Sequence, residues 1–525
     1  MLATNNGKET MKKYIFPILM LAVMPWVFSS CYSDDSSLGD PSSVQSIEIK
    51  DIPAQSVISY AGNFLNITPE ITTDYPESDL QYRWYLYVDN SFDGAGFRDM
   101  EIGQERTLNY EVNLASGAYV VVLEVKSMTT GYARYTRTSL NVSTEFSDGF
   151  YILKEADGKT DMDMVTANGL SSDIISKVSG EPMRGTPVSL AVLYMQQYVN
   201  PDNNEMGVSN MLNIFTTEDY RAYRTEDMKQ TFDHSTICYA GEANDDVYYN
   251  ISNGANYGFL MSKKGISSKR MQGANVLSTG KFSLPAINDE VTKHIQMLTC
   301  GRMGMAYWSN LQHGIRRTDN NCSYATDVTS DPTGQEQCLA SGINRIGGVE
   351  TVWFLSEEKS TGKRYLYRIS GMGALQEKKE LSPSLHLAKA SSVSACGGSA
   401  SYIYAVDNGK LYAYGWANDS EVEVALPGVS EPIDYVTNQW FWVAGFGDTS
   451  YNFDNLIVGA HNGNGYKLYF FDSLVGGVPT KEAYRSVAGT GKVRCIRRVT
   501  PVQVSNMIMT SPGQSRAMPI FPTSE

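Results

Sequence analysis

From Val44 onward the chain is built of short runs in which apolar and polar residues alternate, separated by Asn, Asp, Gly and Ser. A period of two puts successive side chains on opposite faces of a strand, so each run reads as a half-buried β-strand. Ser46 to Ile49 is the first. In Gln81 to Val88 the residues Tyr82, Trp84, Leu86 and Val88 share one face. Ser116 to Val125 and Tyr135 to Val142 complete a set. About 100 residues of short strands around one central Trp predict an immunoglobulin-like β-sandwich over 45–144.

Beyond 146 the pattern changes to recurring hairpins. Phe150–Leu153 precedes the turn Asp157-Gly158-Lys159, and Tyr257–Met261 precedes Lys263-Lys264-Gly265. Val352–Leu355 and Arg364–Ile369 flank Ser360-Thr361-Gly362. Tyr402–Val406 and Lys410–Tyr414 flank Asp407-Asn408-Gly409, and Leu456–Ala460 and Tyr466–Phe471 flank Asn462 to Gly465. Asn-Gly between apolar runs is a strong tight-turn signal. The later units recur about every 50 residues, the length of a multi-stranded propeller blade. Residues 146–525 are thus expected to form a β-propeller of roughly seven or eight blades. A pair of β-sandwiches is the alternative. The repeat fades between 160 and 300, where Glu218 to Phe232 reads as a short helical insertion.

The start of the chain is an address rather than a fold. Met11 opens a basic pair, Lys12-Lys13, then an apolar run from Tyr14 to Phe28, then Ser29-Ser30-Cys31. This is a secretion signal with its true start at Met11. The run is short against the ~20 residues of a membrane span, and Pro17 and Pro25 interrupt it. Residues 1–30 are therefore assigned to the signal and 31–44, rich in Ser, Asp, Gly and Pro, to a tether. Charge adds an exclusion: 43 Lys+Arg against 57 Asp+Glu gives −14, with no basic excess to neutralise a nucleic acid.

Four resemblances sharpen this reading. Phe28-Ser29-Ser30-Cys31 resembles the bacterial lipobox, which implies that Cys31 is lipidated and holds the protein on a membrane through its acyl chains alone. The acidic pair Asp34-Asp35 resembles the surface-export signal of Bacteroidota lipoproteins. Tyr82-x-Trp84 followed by Gly117-x-Tyr119-x-Val121-x-Leu123-x-Val125 looks like a PKD (polycystic-kidney-disease) sandwich. Asp148 to Leu153, with Asp161-Met162-Asp163-Met164 downstream, looks like the opening blade of the PKD-like lipoprotein family of Bacteroidota. That likeness implies an outer-membrane, outward-facing, non-catalytic accessory to a SusC/SusD-type uptake system. Its partners would be a SusC-like TonB-dependent barrel and a SusD-like lipoprotein.

The residues themselves offer little chemistry. No His-Glu-x-x-His, Gly-x-Ser-x-Gly, Cys-x-x-Cys or EF-hand series occurs, so no catalytic residue, metal site or cofactor is assigned. Gly489-Thr490-Gly491-Lys492 lacks the frame of a phosphate loop and reads as a turn. Asp157, Asp161 and Asp163 read as a solvated turn rather than a calcium loop. Cys322 and Cys338 bracket a loop-like stretch and are the first choice for a disulfide. Binding remains, and aromatic side chains suit both sugar faces and peptide groups. Trp308, His313, Trp416, Trp440 and Trp442 are the candidate ligand contacts, with Trp308 and Trp416 expected to be exposed. Glycan and peptide both fit. A surface hydrolase or lyase and an adhesion or assembly module are the competing functions.

Overall fold

In the computed structural model, residues 46–500 are described, except 54, 60–62, 89–99, 115–116, 202–203, 205, 240–247, 254–256, 271–278, 288–296, 300–304, 320–322, 347–348, 371–372, 397–399, 401 and 442–452. The chain folds as an immunoglobulin/PKD-like β-sandwich followed by a β-propeller. No helix among the described residues is long and apolar enough to cross a membrane.

The sandwich sets a five-stranded sheet against two two-stranded pairs. The alternation of Leu80–Val88 turns Tyr82, Trp84 and Leu86 inward, where they meet Val121, Leu123 and Leu140 from the neighbouring strands and Leu65 and Ile67 from the facing pairs. Trp84 is 1% exposed, and its indole N–H donates to the Glu105 carbonyl at 2.9 Å, so burial leaves no orphaned donor. The last sandwich strand ends at Ser143 and the first propeller strand begins at Gly149. Within that short link Phe146 packs into the propeller core, and its carbonyl accepts the Tyr151 hydroxyl at 2.5 Å.

Seven sheets of three or four strands follow among the described residues, each of them a blade, together with one added two-stranded hairpin. The innermost strand of blade 1 is the last among the described residues: Lys492–Val499 pairs with Gly149–Ala156, which continues to Lys159–Thr166 and Gly169–Ser171. Blades 2 to 7 follow in order, with innermost strands Pro187–Val199, Tyr248–Asn253, Met297–Thr299, Glu336–Ile346, Ser392–Ala395 and Tyr435–Phe441. Each innermost strand runs beside the next, and Tyr435–Phe441 returns to Lys492–Val499, which closes the ring. The end at which the innermost strands begin is called upper here, and the other end lower. Six buried apolar clusters lie between and within the blades, whereas the sandwich has one.

Two expectations are corrected. Glu218–Phe232 is not a helical insertion: Tyr220–Arg224 and Gln230–Asp233 are the third and fourth strands of blade 2. The charged stretch between them is a turn, in and beside which Arg224 pairs with Asp227. Asp161 and Asp163 are not solvated either. Asp161 accepts the Ile175 N–H at 3.1 Å and the Ser176 hydroxyl at the start of the short helix Ile174–Ser179. Asp163 is fully buried, 2.6 Å from the Lys154 ammonium, and accepts the Tyr466 hydroxyl of blade 7 at 2.6 Å. Asp157 alone sits in an exposed turn, at φ +53.

Candidate functional site

The aromatic candidates separate to opposite ends of the ring. Trp308 and His313 lie at the upper end, on the second strand of blade 4 and the turn after it. Trp416 follows the third strand of blade 6, and Trp440 nears the end of the innermost strand of blade 7, both at the lower end. Cys31, Cys322 and Trp442 lie outside the described residues. Cys338, whose partner was to be Cys322, sits on the innermost strand of blade 5. Its thiol donates to the Ala340 carbonyl at 3.4 Å, and burial holds its pKa well above the usual thiol range.

Trp308 is not exposed. Alternation along Met305–Ser309 turns it into the apolar cluster that joins blades 3, 4 and 5, against Phe354 and Tyr367, with ring centroids 6.5 and 5.9 Å away. His313 occupies a left-handed turn position (φ +47), and its Nδ1 meets the Glu336 carbonyl at 3.0 Å. A carbonyl can only accept, so Nδ1 carries the proton. The Glu336 carboxylate is itself enclosed: it accepts from Ser356 at 2.7 Å, Tyr367 at 2.6 Å and Lys378 at 2.5 Å. Burial, reinforced by the hydrogen bond to Glu336, raises the Tyr367 phenol. Every oxygen here has donors, so the arrangement clamps blade 5 and offers no open valence to a ligand. Blade 7 has a surface counterpart, in which Glu431 accepts from Lys467 at 2.6 Å and from Tyr469.

The lower end differs. Trp353 stands edge-on to Trp416 at 6.5 Å, and its indole N–H donates to the Asn344 carbonyl oxygen at 2.8 Å. The Asn344 amide in turn donates to the Cys396 and Tyr402 carbonyls, each at 2.8 Å, and so pins the start and end of the first hairpin of blade 6. Cys396 lies 3.2 Å from the Tyr404 hydroxyl, which donates to the Gly477 carbonyl. Burial first, then Cys396 and Asp454, push the Tyr404 phenol well above its ordinary range. Gly477 belongs to an added hairpin, Leu474–Val475 with Val478–Pro479, which folds from blade 7 over the lower end of blade 6.

Across the seam, blade 7 presents Asn438 and Trp440 on one face of its innermost strand. The Asn438 backbone N–H meets the Ser394 hydroxyl of blade 6 at 3.0 Å, and its amide donates to Asp454 at 2.8 Å. Asn438 and Trp440 are 1% and 2% exposed, yet the Asn438 Oδ1 and the Trp440 Nε1 have no hydrogen-bond partner, nor does the Trp416 Nε1. An unmatched buried group costs about 1–3 kcal/mol, and native folds retain few of them. Among the described residues no group of three or more His, Cys, Asp or Glu is placed to hold a metal ion.

The sequence reading named Trp416 and Trp440 but missed Asn344, Tyr404, Asn438 and Asp454. Asn438 was within reach, because it alternates with Trp440 on the same strand face. Asp454 was not, since only register places it opposite Trp440.

Residues 31–187 match the model of the PKD-like family, a stretch that spans the sandwich, the three outer strands of blade 1 and the approach to blade 2. No curated protein matches the sequence. Similar solved structures include a quinoprotein alcohol dehydrogenase-like protein from Bacteroides thetaiotaomicron (14% identity, 86% of this chain and 98% of that one, TM-score 0.37). An auxiliary nutrient binding protein from the same organism matches at 10% identity over 78% and 93% of the two chains, TM-score 0.27. The WD40 domain of SCAP from fission yeast matches at 9% identity over 66% and 75%, TM-score 0.23.

Proposed function

We propose that the protein is a lipid-anchored, outward-facing component of a SusC/SusD-like TonB-dependent nutrient importer of the outer membrane, one that binds substrate or partner subunits without transforming them. The observation that carries this reading is the order of parts along the chain. A lipobox-like Cys31 comes first, then a polar tether, then a PKD-like sandwich, and last a closed ring. Acyl chains supply ~0.8 kcal/mol per buried CH₂, enough to hold a protein at a membrane without a spanning helix. The sandwich serves as a spacer. Phe146 and Tyr151 tie its last strand to blade 1, so the ring is presented on a short link rather than a long flexible one.

The test is co-purification from detergent-solubilised outer membrane, with the tagged chain expressed from its own locus. A TonB-dependent barrel and a SusD-like lipoprotein should be recovered together with it. C31A should release the protein from the membrane and abolish the co-purification. Recovery of the protein alone, or a C31A variant that stays membrane-bound, refutes the reading. Turnover of a glycan or peptide by the purified protein would favour a surface hydrolase instead.

A further inference from the structure

We propose that the lower end of the seam between blades 6 and 7 is a binding site for a neutral, hydroxyl-rich ligand, the end of a glycan chain, covered by the hairpin at 474–479. The proposal rests on the reading that the ring binds a nutrient, and it names the place and the chemistry. Two observations carry it. The first is the pair of unpartnered atoms on one strand face: the Asn438 Oδ1, an acceptor, and the Trp440 Nε1–H, a donor, both on side chains more than nine-tenths buried. They sit two residues apart, about 7 Å along the strand. A hydroxyl both donates and accepts, so one or two sugar hydroxyls satisfy both atoms, and the indole ring offers an apolar face to the sugar C–H groups. The second is the added hairpin, which is not a blade strand and whose Gly477 carbonyl is fastened to the lower end of blade 6 by the Tyr404 hydroxyl.

Charge selects the class. The Asp454 carboxylate stands opposite Trp440 and holds the Asn438 amide, so an anion would meet a like charge there. An uncharged polyol meets none. A peptide could offer an N–H and a C=O to the same two atoms, and the experiment separates it.

Isothermal titration is run on the lipid-free chain from residue 33 with neutral malto-, cello-, manno- and xylo-oligosaccharides, and with tri-alanine blocked as its N-acetyl amide, and so uncharged, as the peptide probe. At least one sugar should bind. W440F keeps an aromatic ring and removes the N–H, and N438L removes the acceptor. Each should weaken that binding roughly tenfold, the loss of about one hydrogen bond; the melting temperature should change little in W440F and fall in N438L, which also gives up the bond to Asp454. Y404F frees the hairpin and should speed association measured by stopped-flow Trp fluorescence. Sugar binding unchanged in W440F and N438L, binding of tri-alanine instead of sugar, or no binding of any probe to the parent chain each overturns the proposal. Sugar binding by a chain that fails to bring down an importer would sink the accessory role and leave this site standing.

Discussion

The sandwich and the propeller bury their polar groups in opposite ways. In the sandwich, one apolar cluster surrounds Trp84, and the buried polar residues among those described are uncharged: Ser127 and Thr138. Its ion pairs, such as Arg83 with Glu101, lie at the surface. The propeller buries Lys154, Asp161, Asp163, Lys269, Arg316, Glu336 and Arg497. The difference follows from geometry. A sandwich has a single interior that water leaves completely, so any charge there is costly. A ring of blades has many narrow interfaces, and its buried charges find partners within their own blade, as Lys154 and Asp163 do, or on the next blade. Tyr466 of blade 7 with Asp163 of blade 1 is such a pair, and Arg485 of blade 7 with the Thr166 carbonyl is another. Sandwich stability should therefore depend on volume, and ring stability on pairing and closure.

The largest effect expected is from removing closure. A chain truncated after Gly491 lacks the innermost strand of blade 1. Its ring should lose cooperative unfolding, while the sandwich keeps its own transition; limited proteolysis and scanning calorimetry would show this. A ring that still melts sharply would mean that the seam between blades 7 and 1 is not what holds it. Next come two substitutions of similar size and opposite location. W84A empties the sandwich core and should cost about 3–5 kcal/mol in the sandwich transition alone. D163N strips Lys154 of its buried partner, leaves it only the half-exposed Asp173, and should cost about 3–5 kcal/mol in the ring transition alone. Denaturant titration with separate fluorescence and circular-dichroism probes distinguishes them. If both variants shift both transitions, the two regions unfold as one unit and the contrast fails.

Sequence made the sandwich and the hairpins legible because their signals are local. Trp84 alternates with Tyr82 and Leu86, and Asn408 and Gly409 both take positive φ in the turn the dipeptide announced. It hid whatever depends on distant pairing. Nothing near Lys492–Val499 says that its partner lies more than three hundred residues upstream. The strand Tyr220–Arg224 was masked by charges that belong to its turn. The lower site was half legible: its Trp440 indole showed, but the blade 6 groups across the seam come together with it only when the ring forms.

The smallest effect sharpens the contrast from inside the ring. Lys269 of blade 3 is buried with a backbone partner, the Gly280 carbonyl at 3.1 Å, and the Phe282 ring at 4.7 Å. Burial pulls its pKa down to about 7. Between that value and the ordinary lysine value near 10.5 the unfolded chain carries the proton and the folded one does not, so stability rises with pH across this window. The cost of the buried charge is fully present below about pH 7 and amounts to at most roughly 4–5 kcal/mol. K269M should raise the ring's melting temperature at pH 6 and flatten the rise between pH 7 and 10. A rise that persists in K269M would assign it to another group.

The closing strand also makes the fold a check on its own synthesis. A chain released before Val499 would present the edge of Gly149–Ala156 with its backbone groups unmatched, a template for misassembly and an entry for proteases. Only a chain read through to that strand can cover the edge. Quality control thus needs no separate sensor, because incomplete copies expose the defect themselves at the blade that was made first.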